Sequence, residues 1–78
     1  MNFVVWLEKE KRLSKKSAYD VKSRLGRALI MTTEKEATKE SICILEGNEA
    51  FKSLSVSVKS HLRRAVRLYL EYKEKVNY

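Results

Sequence analysis

The chain has no proline and only two glycines, Gly26 and Gly47, in 78 residues. Proline and glycine are the residues that most often interrupt helices and form tight turns. Apolar residues recur at steps of three and four, as at Val58, Leu62 and Ala65, which is the period of a helix with one buried side. These patterns predict an all-α protein, a compact bundle of four to five helices.

The length allows one small hydrophobic core, so we expect a single domain over residues 1–78. The apolar run Phe3–Leu7 is too short for a signal sequence or a membrane span. We therefore expect a soluble, cytoplasmic protein. The only cysteine, Cys43, lies in an apolar run, and we interpret it as a small buried residue in a reducing compartment.

Capping residues and apolar stripes predict where the helices begin. The expected starting points are, in chain order, Asn2, Ser14, either Thr33 or Lys39, Asn48, and either Ser55 or Ser57. The second helix should reach about Met31. It contains Gly26, which either marks the close approach of another backbone or has no structural role. The third should stop at Gly47. The fourth should place Phe51 in the core.

The charge is strongly basic and unevenly distributed. Seventeen Lys and Arg against ten Asp and Glu give a net charge of +7. Residues 1–31 carry eight basic and three acidic side chains, and residues 55–78 carry six and two, whereas residues 32–54 carry three and five. A basic surface must therefore come from the first and last thirds of the chain. Such a surface favours nucleic acid or another anionic partner.

Two helical faces gather these basic residues. On the last helix they are Lys59, Ser60, Arg63, Arg64 and Arg67. On the second helix they are Ser14, Lys15 and Lys16 at its start, followed by Lys22, Arg24 and Arg27. Phosphates are attracted by Lys, Arg and the free N–H groups of a helix start, and Arg and Lys can read guanine edges in a major groove. Ordinary solvated faces are the alternative interpretation, and His61 is either a rim residue or a further contact.

No catalytic set stands out. His61 and Asp20 could formally join any of several serines, but the sequence has no glycine-rich elbow and no phosphate-binding loop. One His and one Cys are too few for a zinc site. The acidic residues Glu34, Glu36 and Glu40 are interpreted as a solvated loop. We therefore expect no enzyme activity, no cofactor, no metal and no small-molecule substrate.

Aromatic residues could suggest base stacking, but most of them lie on or beside the apolar stripes. They are Phe3, Trp6, Tyr19, Tyr69 and Tyr72. Packing is therefore the preferred interpretation. Val66 and Leu70 lie off the main stripe of the last helix, so they either meet another helix or mark a surface for a second domain or subunit.

The order of these features resembles the N-terminal core-binding domain of tyrosine recombinases and phage integrases. The matching pieces are Phe3, Trp6-Leu7, Leu13-Ser14-x-x-Ser17, Val21 and Leu25, then Asn48-x-x-Phe51-x-x-Leu54-Ser55, then Val58-x-x-x-Leu62-x-x-Ala65-x-x-Leu68-Tyr69. The resemblance covers nearly the whole chain. Ser17 stands where the family more often has Thr, Val21 stands where it usually has Tyr, and the short-helix region lacks the usual proline.

The resemblance implies a SAM-like helical domain that clamps double-stranded DNA and performs no catalysis. The family's catalytic residues belong to a separate C-terminal domain, so we do not expect Tyr78 or another tyrosine to act as a nucleophile. By position, the resemblance nominates Ser14, Lys15, Lys16 and Ser17, and on the last helix Lys59, Ser60, Arg63, Arg64 and Arg67. With Lys22 from the charge pattern, these form the predicted DNA-binding set.

Further partners implied by the resemblance are a C-terminal catalytic domain or other recombinase subunits. The alternative hypothesis is a stand-alone helical protein-interaction module from a phage or mobile element, docking through Val66 and Leu70. A basic module on an anionic membrane is a weaker hypothesis, because the last helix is needed for the core.

Overall fold

Five helices, connected by short segments, make up the protein in a computed structural model that describes residues 2–76. They are α1 (Phe3–Glu10), α2 (Lys15–Thr32), α3 (Ser41–Glu46), α4 (Glu49–Lys52) and α5 (Val56–Val76). No strand occurs within residues 2–76. The predicted all-α bundle is therefore confirmed.

Four of the helices begin at a side-chain cap. Asn2, Ser14, Asn48 and Ser55 each accept, on a side-chain oxygen, the backbone N–H of the residue three positions later, at 2.9–3.3 Å. Each cap satisfies one of the N–H groups that a helix start leaves unpaired. The capping predictions are confirmed at Ser14, Asn48 and Ser55, which rather than Ser57 caps α5, and the predicted start of the first helix near Asn2 is confirmed.

The connection between α2 and α3 distinguishes the two predicted starts of the third helix, Thr33 and Lys39. Thr33 takes a left-handed backbone conformation with φ of 55° and ends α2, where its N–H bonds to the carbonyl of Ile30. A helix start at Thr33 is therefore wrong, because Thr33 belongs to the end of α2. The third helix begins at Ser41, close to the later of the two predicted starts.

The segment between α2 and α3 is packed rather than merely solvated. Ala37 is completely buried. The hydroxyl of Ser41 accepts the N–H of Thr38 at 2.8 Å and donates to the carboxylate of Glu34 at 2.7 Å. This segment therefore covers part of the core, although its composition is polar.

The core lies between α2 and α5, which make the most extensive helix–helix contact, and α1 packs against α2. Its buried apolar residues are Phe3, Val4, Trp6, Leu7, Ala18, Val21, Leu25, Ala28, Ala37, Leu45, Phe51, Leu62, Ala65 and Val66. Val66 is 1% exposed and Leu70 is partly buried against the core. Of the two alternatives for this pair, contact with other helices is therefore the right one.

Two expectations about small residues are corrected. Cys43 is exposed, because the six-residue α3 turns Ser41 and Leu45 inward and these positions are four residues apart, which leaves position 43 on the outer side. Gly26 has no neighbouring atom within 4 Å of the place where a Cβ would stand. Within residues 2–76 no other backbone passes close to Gly26, so the close-approach interpretation is wrong for this part of the chain.

An aromatic cluster holds α1 on the C-terminal half of α5. The ring centroids of Phe3 and Tyr69 are 5.2 Å apart in an edge-to-face arrangement, and those of Trp6 and Tyr72 are 5.6 Å apart. Such pairs add to the free energy of apolar burial. The packing interpretation is confirmed for these four rings, whereas Tyr19 is 50% exposed.

No helix within residues 2–76 is both long enough and apolar enough to cross a lipid bilayer.

Candidate nucleic-acid interface

The start of α2 presents two serines and two lysines. The hydroxyl of Ser14 accepts the N–H of Ser17 and donates to its hydroxyl oxygen, both at 3.1 Å, so Ser14 is committed to its own helix. Ser17, Lys15 and Lys16 are exposed. Positive charge at a helix start adds to the helix dipole, so this end of α2 is electropositive.

The cations of α2 lie on two different sides of the helix. Lys16 forms an ion pair with Asp20, four residues later, with the Lys16 Nζ–Asp20 Oδ2 distance at 3.5 Å. Lys15 and Lys22 instead line a groove beside α1, together with Tyr19. Of the lysines predicted to bind DNA from α2, Lys16 therefore lies on the outer side of the helix, whereas Lys15 and Lys22 lie in the groove.

Two predicted DNA contacts of α5 are engaged within the protein. The Arg63 guanidinium lies 5.3 Å from the ring centroid of Phe51, and its Nε is 2.6 Å from a carboxylate oxygen of Glu46. The Nζ of Lys59, one turn earlier, lies 6.0 Å from the same ring. These contacts join α5 to α3 and α4, so Arg63 and Lys59 serve the fold whatever else they bind.

The remaining three members of the α5 set face outward. Ser60, Arg64 and Arg67 are exposed, and their spacing of four and three residues puts them along one side of the helix. Within residues 2–76 no acidic side chain pairs with Arg64 or Arg67. These arginines can therefore donate fully to an external anion.

Two neighbouring side chains lie beside Ser60 and Arg67 on α5. His61, next to Ser60, is exposed and takes no part in the core. Glu71, one turn beyond Arg67, is neutralised by Lys11 at 2.8 Å.

The outer side of α2 carries two further arginines that the predicted DNA-binding set did not include. Arg27 is exposed and Arg24 is half-buried, and neither pairs with an acidic group within residues 2–76. The helical period places Arg27 on the side of Lys16, eleven positions earlier. The same helical period can be read from the sequence, and it would have added Arg27 to the predicted DNA-binding residues.

Glu36 forms a separate polar network at the far end of α5. Its carboxylate accepts the hydroxyl of Tyr69 at 2.7 Å and lies 3.4 Å from the ammonium of Lys73. The hydrogen bond from Tyr69, followed by Lys73, lowers the pKa of Glu36 from its usual value. Burial of the phenol, followed by the bond to Glu36, raises the pKa of Tyr69 to about 12.

This network shows what the acidic segment does. Glu36 ties the α2–α3 connection to α5, and Glu34 bonds within that connection, so neither is a purely solvated carboxylate. Within residues 2–76 no three His, Cys, Asp or Glu side chains are arranged to hold a metal ion. Tyr78 lies outside the described residues.

The fold and the site together define a small all-α protein with basic residues on its two longest helices. Comparisons of the chain with protein-family models, with curated proteins and with solved structures return no match. The resemblance to recombinase domains therefore depends on the residues of this chain alone.

Proposed function

We propose that this chain is a DNA-binding domain of the kind that positions duplex DNA in tyrosine recombinases and integrases, without catalysis of its own. The observation that carries the proposal is the charge on the two helices that pack against each other. Helix α2 has five basic residues and one acidic residue, and α5 has six and two, so each has a net charge of +4. Phosphate neutralisation by such charges supplies most of the affinity of non-specific DNA binding.

The contacts to phosphate are assigned to exposed cations on one side of α5, beside Ser60, and on one side of α2. On α5 these are Arg64 and Arg67, with the hydroxyl of Ser60 on the same side. On α2, Arg27 is unpaired, and Lys16 shares its charge with Asp20. The resemblance of the sequence to core-binding domains supports the same two helices. A C-terminal catalytic domain or other recombinase subunits would be the partners of such a domain.

The test is duplex binding by fluorescence anisotropy across a range of salt concentrations. The double variant Arg64→Gln/Arg67→Gln should lower the slope of log K against log salt by about two, because each lost phosphate contact lowers it by about one. The matched control is Lys9→Gln/Lys39→Gln, which removes the same charge from exposed positions outside α2 and α5. This control should change the slope by much less.

Two results would overturn the proposal. One is the absence of duplex binding at low salt, where a protein with these contacts should bind. The other is an equal loss in both double variants, which would indicate general attraction by net charge. An amide-resolved NMR titration locates the surface directly, and shifts should concentrate on the start of α2 and on residues 60–67.

The alternative is docking of a protein partner through Val66 and Leu70, where the fold leaves little apolar surface accessible. Val66 is buried in the core and Leu70 is packed against it.

A further inference from the structure

A groove of about 360 Å³ runs between α1 and α2, away from the arginines of α5. Its volume falls within the range of about 300–1,000 Å³ that is typical of small-ligand clefts. From α1 it is lined by Val5 and Glu8, among others, and from α2 by Lys15, Tyr19 and Lys22.

The residues of α2 that line the groove recur at the spacing of one helix turn. Lys15, Tyr19 and Lys22 are separated by four and three residues, so they share one side of the helix. The Tyr19 ring is 50% exposed, whereas the rings of Phe3 and Trp6 are buried. The Nζ of Lys22 lies 6.0 Å from the centroid of the Tyr19 ring. An accessible aromatic ring thus has one ammonium group beside it and a second one turn earlier.

We propose that this groove binds an unstacked nucleotide of single-stranded nucleic acid, with the base against Tyr19 and the flanking phosphates near Lys15 and Lys22. An aromatic ring offers a stacking surface to any base, and neighbouring cations follow the phosphate backbone. A duplex does not present free base faces, so this site differs in ligand from the duplex surface. The proposal does not rest on duplex binding, because Arg64 and Arg67 take no part in it.

Glu8 provides a test of the sign of the ligand's charge. Its carboxylate lines the same groove and repels a phosphate, so Glu8→Gln should tighten binding of an anionic ligand at low salt. A cationic ligand would respond in the opposite direction.

The experiment compares two labelled oligomers by fluorescence anisotropy at one salt concentration. One is a thymidine oligomer of about eight nucleotides, a length within the usual range of single-strand sites. The other is an abasic oligomer with the same number of phosphates. The wild-type protein should prefer the thymidine oligomer by about tenfold, which is the effect of stacking one base.

Variants of Tyr19 assign that preference to the ring. Tyr19→Phe should keep the preference and Tyr19→Leu should abolish it, and far-UV circular dichroism checks that both remain folded. The Arg64→Gln/Arg67→Gln variant should keep the preference even where its duplex affinity falls. The two proposals therefore fail independently.

Three outcomes would overturn the inference. They are equal affinity for the two oligomers, an unchanged preference in Tyr19→Leu, and weaker binding in Glu8→Gln. If an acidic peptide such as an oligoglutamate binds the wild-type and Tyr19→Leu proteins equally well, and more tightly than the thymidine oligomer, the groove is a site for acidic protein segments instead.

Discussion

Replacing Gly26 by alanine should stabilise the protein. Gly26 lies within α2, its φ is not positive, and a Cβ built there meets no atom within 4 Å. Alanine therefore fits without strain, and it loses less backbone entropy on folding than glycine. In the interior of an exposed helix the difference is about 1 kcal/mol.

Urea unfolding followed by far-UV circular dichroism measures this gain. With an m-value of about 1 kcal/mol/M, the midpoint should rise by roughly 1 M and the slope should stay the same. For a domain of this length the melting temperature should rise by about 4–8 °C. The matched variant is Ser23→Ala, at an exposed position of the same helix, which should gain about half as much.

An unchanged or lowered stability of Gly26→Ala would refute this reasoning. It would mean that another backbone approaches Gly26 in solution, for example that of a second copy of the chain. A change of slope with no change of midpoint would instead point to the unfolded state.

Three further predictions follow from particular contacts. The pKa of Tyr69 in the folded protein is raised to about 12, above its usual value near 10. The neutral Tyr69 side chain therefore contributes fully to the free energy of unfolding below pH 10, and this contribution is lost as the pH rises from 10 to 12. Ultraviolet titration of Tyr69, identified by comparison with Tyr69→Phe, should show ionisation well above pH 10, and Glu36→Gln should lower its pKa; ionisation of Tyr69 near pH 10 would contradict this. Arg63→Gln should lower the free energy of unfolding by about 1 kcal/mol, through the lost ion pair and ring contact, whereas Arg64→Gln should change it by less than about 0.5 kcal/mol in urea unfolding. Thr33→Gly should raise the melting temperature, since glycine adopts a positive φ without the steric cost of a β-branched residue; a lower melting temperature would mean that the Thr33 side chain contributes more than its strain costs.

Local features of the sequence determined the helices and most of their boundaries. Side-chain caps act on backbone groups three residues away, so Ser14 and Asn48 could be recognised without knowing the fold. The apolar period likewise identified the buried side of α2 and, apart from Val66, that of α5. The sequence could not decide between Thr33 and Lys39 as the start of α3, because Thr33 is compatible both with a helix start and with the end of α2.

The tertiary structure decided which side chains remain available. Arg63 and Arg64 are adjacent in the sequence and equally basic, but only Arg63 reaches Glu46 and Phe51, which lie in other helices. Cys43 is exposed because a helix of six residues turns only one side to the core. Tyr19 is half-exposed because the packing of α1 against α2 leaves a groove beside it. Helical period and capping depend on neighbours along the chain, whereas exposure and pairing depend on segments that only folding brings together.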